Sequence, residues 1–164
     1  MPKEIERKFL IDSTKLPDNI SNVRATKRIT QAYLSIGPPS VRVRVVEDLS
    51  GIFVDGYFTV KGKGFIEREE IEHELPSEKA YGLLLLSPYN WIVKKRNYLK
   101  VNNLLWEIDE FEFEEGVPNE WLAEVELETA DQDVELPEWI VKEVSEDSRY
   151  TNASIAKNGW PNES

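Results

Sequence analysis

The sequence predicts a mainly β, antiparallel domain whose sheet curls into a barrel around a charged interior. Three observations predict it. Turn signals recur at short intervals, among them Gly37-Pro38-Pro39, Gly62 to Gly64, Ser87-Pro88, Asn102-Asn103 and Gly116-Val117-Pro118. Between them lie runs rich in Val, Ile, Phe, Tyr, Trp and Thr, the pattern of strands joined by tight connections. Within six of these runs, charged residues fall at alternate positions and so share one face of a strand.

Strands are expected near 3–11, 23–36, 41–47, 52–61, 66–74, 90–100, 103–113 and 120–128. In the first, Glu4, Glu6 and Lys8 share a face. In the third, Arg42 and Arg44 oppose Val41, Val43 and Val45. Arg68, Glu70 and Glu72 share a face, as do Lys94 and Arg96, Glu107 and Asp109, and finally Glu124, Glu126 and Glu128 opposite Ala123, Val125 and Leu127. Asn102-Asn103 and Asp55-Gly56 read as hairpin turns or bulges. A helix is expected over Ser77 to Leu86, opened by Pro76-Ser77-Glu78, and another over Pro137 to Glu146, with Trp139, Ile140 and Val144 on one face. A short helical turn is expected near 13–21. The chain of 164 residues reads as one domain over 1–157, with a loose tail over 158–164.

Composition narrows the chemistry. No cysteine is present, which excludes disulfides, thiol nucleophiles and thiolate metal sites. The single histidine, His73, leaves no room for a histidine-rich metal site. A net charge of −11 opposes non-specific binding to nucleic acid or an anionic membrane. The longest apolar run, Leu83 to Leu86, is far short of the ~20 residues of a membrane span. The charged N-terminal segment does not read as a signal peptide, so the cytoplasm is the expected compartment.

A flat sheet with one wet face would mix Thr, Ser, Lys and Glu on it. Here some strands offer pairs of cations and others pairs of acids. Turned inward, they line a lumen with both signs, and a barrel of about eight strands can hold one small ligand. Lys and Arg suit phosphate oxygens. Carboxylates without His or Cys suit Mg²⁺ or Mn²⁺ bridging to phosphate. Lys61-Gly62-Lys63-Gly64 lacks the spacing of a phosphate-binding P-loop. Cations facing one another across an empty lumen are expected to repel, so that Arg96→Ala leaves the ligand-free melting temperature unchanged or higher unless acids compensate.

The run Glu4-Ile5-Glu6-Arg7-Lys8-Phe9 resembles the ExExK signature of the CYTH domain, also called the triphosphate tunnel metalloenzymes. The resemblance continues in order through Ile29 to Leu34, Val41 to Arg44, Phe58 to Gly62, Arg68-x-Glu70-x-Glu72, Lys94-x-Arg96, Trp106 to Asp109, Ala123 to Glu128 and Asp147-x-Arg149-Tyr150-x-Asn152. It departs where Asn97 precedes Tyr98, and where Ser148 and Thr151 stand in place of the basic residues that relatives often carry.

The resemblance implies a closed eight-stranded antiparallel barrel, with flanking helices, that binds a triphosphate and a divalent metal, Mg²⁺ or Mn²⁺. It implies Glu4, Glu6, Glu124 and Glu126 as metal ligands, with Glu70 and Glu72 as secondary ones. It implies Lys8, Arg42, Arg44, Lys61, Arg68, Lys94, Arg96, Arg149 and Tyr33 as substrate contacts, and Lys8, Asp109 and Glu128 as catalytic groups. Arg7 and Lys95 have the parity of the outer face. The implied activity is hydrolysis of a linear triphosphate, inorganic tripolyphosphate foremost, by a monomer or homodimer whose partner is that small molecule, without nucleic acid or membrane. The alternatives are an ATP cyclase, a nucleoside or thiamine triphosphatase of the same fold, and a non-catalytic polyphosphate-binding module.

Overall fold

Alternation at every second residue builds the wall. A computed structural model of the chain describes residues 3–18, 20 and 26–162. Strands β1 (Lys3–Ile11), β2 (Lys27–Ser35), β3 (Ser40–Glu47), β4 (Phe53–Lys61), β5 (Glu67–Glu74), β6 (Ile92–Val101), β7 (Leu104–Glu112) and β8 (Glu120–Glu126) pair antiparallel throughout. The spatial order is β5-β4-β3-β2-β6-β7-β8-β1, and β1 returns to β5 through Lys3↔Glu69, Glu4↔Arg68 and Ile5↔Glu67. The barrel of eight strands is thus closed.

The β6–β7 turn confirms the expectation for Asn102-Asn103. Val101 pairs with Leu104, and both asparagines have positive φ, 50° and 65°, as a two-residue hairpin loop of this hand requires. Asp55-Gly56 is not a turn. Both residues lie inside β4, opposite Val46 and Val45. Gly56 serves close packing instead, since a Cβ there would sit 2.8 Å from Ala80 Cβ and 2.9 Å from the Leu75 carbonyl oxygen. The strand reversal lies at Asp48–Gly51, where Asp48 Oδ1 accepts from the backbone N–H groups of Ser50 and Ile52.

Two apolar clusters cover the outer wall. Helix α1 (Ser77–Leu84) places Ala80 and Leu84 on Ala32, Val43 and Val45. It ends earlier than expected, leaving Leu85 and Leu86 exposed. Phe9, Trp106, Ile108, Ala123 and Val125 pack with Trp139, whose ring stands 5.2 Å from that of Trp106. Trp139 does not belong to a helix. The helix expected over 137–146 is instead a short strand, β9 (Ile140–Glu143), paired with β1 at Phe9, Leu10 and Ile11. That stretch of β1 lies beyond its pairing with β5, so its backbone groups need another partner.

A third cluster closes one end of the barrel. Helix α2 (Asn152–Asn158), capped by Thr151 Oγ1 on the Ser154 N–H, sets Ile155 and Ala156 against Tyr33, Ile92, Phe111 and Leu122. Trp160, expected in a loose tail, packs on Phe111, Phe113 and Tyr150 at centroid distances of 5.6, 6.3 and 5.6 Å. The expected strand start at 23–25 and parts of the turn at 13–21 and of the tail lie outside the described residues. Among the described residues, no helix is long and apolar enough to cross a membrane.

Candidate active site

With one end filled by α2, the barrel interior forms a cavity of about 890 Å³. The inward-facing positions of β1, β3, β4, β5, β6 and β8 supply its charged wall: Glu4 and Glu6, Arg42 and Arg44, Lys61, Arg68, Glu70 and Glu72, Arg96, and Glu124 and Glu126. Tyr33 lines it from the apolar end, in the cluster with Phe111 and Ile92. Registers bring acids together across strands, Glu6 opposite Glu126 on one pair and Glu107 opposite Glu124 on the next.

Most of these charges hold one another. Lys61 Nζ lies 2.7 Å from Glu4 Oε2 and 3.7 Å from Glu70, while Arg68 reaches Glu4 at 3.4 Å and Glu6 at 3.6 Å. Burial pushes the Glu4 carboxyl up, but Lys61 and Arg68 outweigh it and hold Glu4 at about 2. Burial and the neighbouring Glu124 and Glu4 carboxylates push Glu6 well above its ordinary value. Glu124 goes the other way, since Lys8 at 3.7 Å and the hydrogen bond from Glu6 outweigh its burial. Thr59 Oγ1 donates to Glu72 at 2.9 Å.

Arg42 and Arg44 differ from the rest. Arg42 is buried, its Nε has no hydrogen-bond partner, and among the described residues no carboxylate pairs with it. Arg44 donates Nε–H to the neutral Gln31 Oε1 at 3.0 Å and likewise has no carboxylate within ion-pair distance among the described residues. Burial, then Arg42 and Arg96 nearby, lower Arg44 to about 10. A buried guanidinium facing a cavity without a counter-charge is costly unless an anion enters.

Several expected site residues lie elsewhere. Lys94 and Asp109 have the inward parity but stand in the wall, fully buried, and do not line the cavity. Asp109 binds Arg96 through both oxygens at 2.8 Å and Lys94 at 2.8 Å, and Arg96 also pairs with Glu107. Asp109 is thus a structural counter-ion rather than a group facing water, and the acids compensate Arg96, contrary to the repulsion expected of an empty lumen. Burial drives Lys94 down to about 7 despite Asp109. Lys8 points into a small side pocket, donating to the Tyr150 carbonyl oxygen at 3.1 Å. Glu128 lies past the end of β8, exposed, so its expected catalytic position is not formed. Arg149 is engaged with Asp147 in a two-point pair at 3.0 and 2.7 Å and is largely exposed, away from the cavity.

Sequence reasoning gave no site role to Glu107, Gln31, Asn152 or Ser154, which line the cavity or hold its wall. For Glu107 the signal was there, in the face it shares with Asp109. Gln31 and Asn152 are neutral amides within otherwise noted runs and carry no charge signal.

The acids fit a hard divalent cation. Their donors are all oxygen, they come from adjacent strands, and Glu6 is pushed toward protonation by the very carboxylates that a cation would neutralise. Among the described residues no three such side chains are already gathered as a ligand shell, because Lys61, Arg68 and Lys8 hold them.

Comparison with known proteins agrees with this architecture. The family model described as the CYTH domain matches residues 2–158. The chain is 34% identical over 167 residues to an inorganic triphosphatase of Acetivibrio thermocellus, covering 99% of this chain and 98% of that protein. The crystal structure of the inorganic triphosphatase NE1496 superposes with a TM-score of 0.61 at 28% identity, covering 93% of this chain and 97% of that one. A conserved hypothetical protein of Pyrococcus furiosus shares the fold with a TM-score of 0.54 at 22% identity, covering 77% and 79%. A family model spanning nearly the whole chain and a full-length relative of this identity make the chain a member of the CYTH domain family.

Proposed function

We propose that the protein hydrolyses a linear triphosphate, inorganic tripolyphosphate foremost, to diphosphate and phosphate with the help of Mg²⁺ or Mn²⁺. The observation that carries it is the pair Arg42 and Arg44, guanidinium groups with no carboxylate partner among the described residues, in a cavity where Lys61, Arg68 and Arg96 are already paired. A chain of phosphates supplies the anions they lack, and the resemblance to inorganic triphosphatases over the full length supports the same substrate.

Arg42, Arg44 and Arg68 offer planar two-point contacts to successive phosphoryl groups, while Arg96 stays with Asp109 and Glu107 in the wall. Lys61 and Lys8 add point charges at Glu4 and Glu124. These cations hold the chain extended and lower the charge that repels an incoming water. The water oxygen bonds to a terminal phosphorus while the bridging P–O bond breaks, its electron pair leaving with diphosphate, and the water's two protons end on the released phosphate and in solvent. Glu4, Glu6, Glu124 and Glu126 would hold the divalent cation. Such a cation would supply charge neutralisation at phosphate oxygens; Lys61 and Arg68, which lie against Glu4 and Glu6, would then turn toward substrate.

The protein would act as a monomer or homodimer on a small molecule in the cytoplasm. A single assay separates the possibilities: phosphate, diphosphate and cyclic AMP measured with tripolyphosphate, ATP and thiamine triphosphate. Phosphate and diphosphate from tripolyphosphate are expected. Cyclic AMP from ATP would assign a cyclase, and binding without turnover would assign a polyphosphate-binding module.

A further inference from the structure

The wall behind the two unpaired arginines contains a short chain of amides. Gln31 is fully buried; its Oε1 accepts from Arg44 Nε at 3.0 Å and its Nε2 donates to Asn152 Oδ1 at 3.1 Å. The same Asn152 Oδ1 accepts from Lys94 Nζ at 3.0 Å. The direction of this chain is forced. A guanidinium only donates, so Gln31 must turn its oxygen to Arg44 and its NH₂ to Asn152. Asn152 must then keep its oxygen toward Gln31 and Lys94. A flip of either amide would set donor against donor in a buried place and lose two hydrogen bonds.

Asn152 also lines the cavity. With Oδ1 held by two wall donors, the polar group it has left for the cavity is its NH₂, and no described residue accepts from it. An Asn free to flip could show a substrate either an acceptor or a donor. This one shows a donor only, which suits phosphate oxygens.

We propose that Asn152 is a substrate-contacting residue whose NH₂ donates to a phosphate oxygen, locked in that orientation by Lys94 and, through the positioning residue Gln31, by Arg44. The proposal rests on the triphosphate reading of the cavity. It also gives the C-terminal helix a part in recognition beyond closing the barrel, since α2 sets Asn152 in place while Ile155 and Ala156 anchor it.

Asn152→Asp tests it. The carboxylate keeps an acceptor for Lys94 and Gln31 and loses the NH₂. A purely structural Asn152 therefore predicts no rise in KM beyond what the added charge itself causes. The proposal predicts a KM for tripolyphosphate raised about tenfold or more, with the ligand-free melting temperature kept or raised. Because the added charge would itself repel substrate, Asn152→Leu, which has neither donor nor charge, is measured beside it and should raise KM as well. If the leucine variant fails to fold, Gln31→Met takes its place. Gln31→Met is expected to lower kcat/KM through loss of the Asn152 orientation. Its effect should be much less than additive with that of Asn152→Asp, as coupled residues are. Asn152→Asp with KM and kcat within twofold of wild type overturns the proposal, and so does full additivity with Gln31→Met. A wild-type protein that does not hydrolyse tripolyphosphate overturns the underlying function instead.

Discussion

Two arginines on inward positions of the barrel should respond in opposite ways to the same change. Arg96 is buried and bound to Asp109 through two 2.8 Å contacts and to Glu107. Arg96→Met leaves both acids buried beside a lost cation, a change that costs about 3–5 kcal/mol. For a domain of this size each kcal/mol moves the melting temperature by ~2–4 °C, so a fall of roughly 6–20 °C is expected. Arg42 is equally buried but, among the described residues, has no partner for Nε and no carboxylate within ion-pair distance. Arg42→Met removes an uncompensated charge, so the ligand-free protein should melt at the wild-type temperature or above. With substrate the order changes. At a ligand concentration of 100 times Kd, wild type gains ~2.7 kcal/mol. A lost charge-assisted contact is worth ~1.5–3 kcal/mol, which weakens binding about 10- to 150-fold and removes from about half to nearly all of that gain. Thermal melts of the three proteins, with and without tripolyphosphate, read all of this. A ligand-free Arg42→Met protein that falls as far as Arg96→Met, or an Arg96→Met protein that does not fall, would refute the assignment of one arginine to substrate and the other to the wall.

Three further outcomes follow from named contacts. The Arg96 and Lys94 charges outweigh burial and hold Asp109 at about 2, below its ordinary 3.8, so its contribution is present above about pH 4 and lost as pH falls through 2. The melting-temperature gap between wild type and Asp109→Asn should therefore close between pH 4 and 2, and a gap constant over that range counts against the pair. Glu4→Gln should remove most activity and raise the Mg²⁺ or Mn²⁺ needed for half-maximal rate, whereas unchanged wild-type rates after chelation would remove the metal from the account. Gly56→Ala should destabilise by about 1–3 kcal/mol by urea titration, since its Cβ would meet Ala80 Cβ at 2.8 Å, and wild-type stability would show that α1 can shift.

Much of the barrel was legible because an inward-facing charge pattern repeats every second residue and a strand cannot bury it any other way. Parity correctly set Glu4, Glu6, Arg42, Arg44, Lys61 and Arg96 on the inner face. It could not tell depth. Lys94 and Asp109 share that parity, yet Lys94 sits against Phe111 and Asn152 where α2 fills the barrel and Asp109 is held between Lys94 and Arg96, so they face protein rather than substrate. Nor could parity tell where a strand stops, and Glu128 falls two residues beyond the end of β8. The segment 137–146 carries good local helix signals. A strand formed there because β1 has an open edge, a long-range fact absent from the local pattern. Helix α2 was missed although Thr151 and Gly159 bracket it as caps, because its seven residues expose too little periodicity to stand out.

The central claim is that this cavity binds a bare chain of phosphates. The measurement that tests it most directly is kcat/KM of the purified protein for tripolyphosphate, ATP and diphosphate at saturating Mg²⁺ or Mn²⁺. No motif in the chain was identified as reading a base, and the cations that face the cavity suit phosphate oxygens, so tripolyphosphate should exceed both others by about tenfold or more. A higher kcat/KM for ATP would contradict the account.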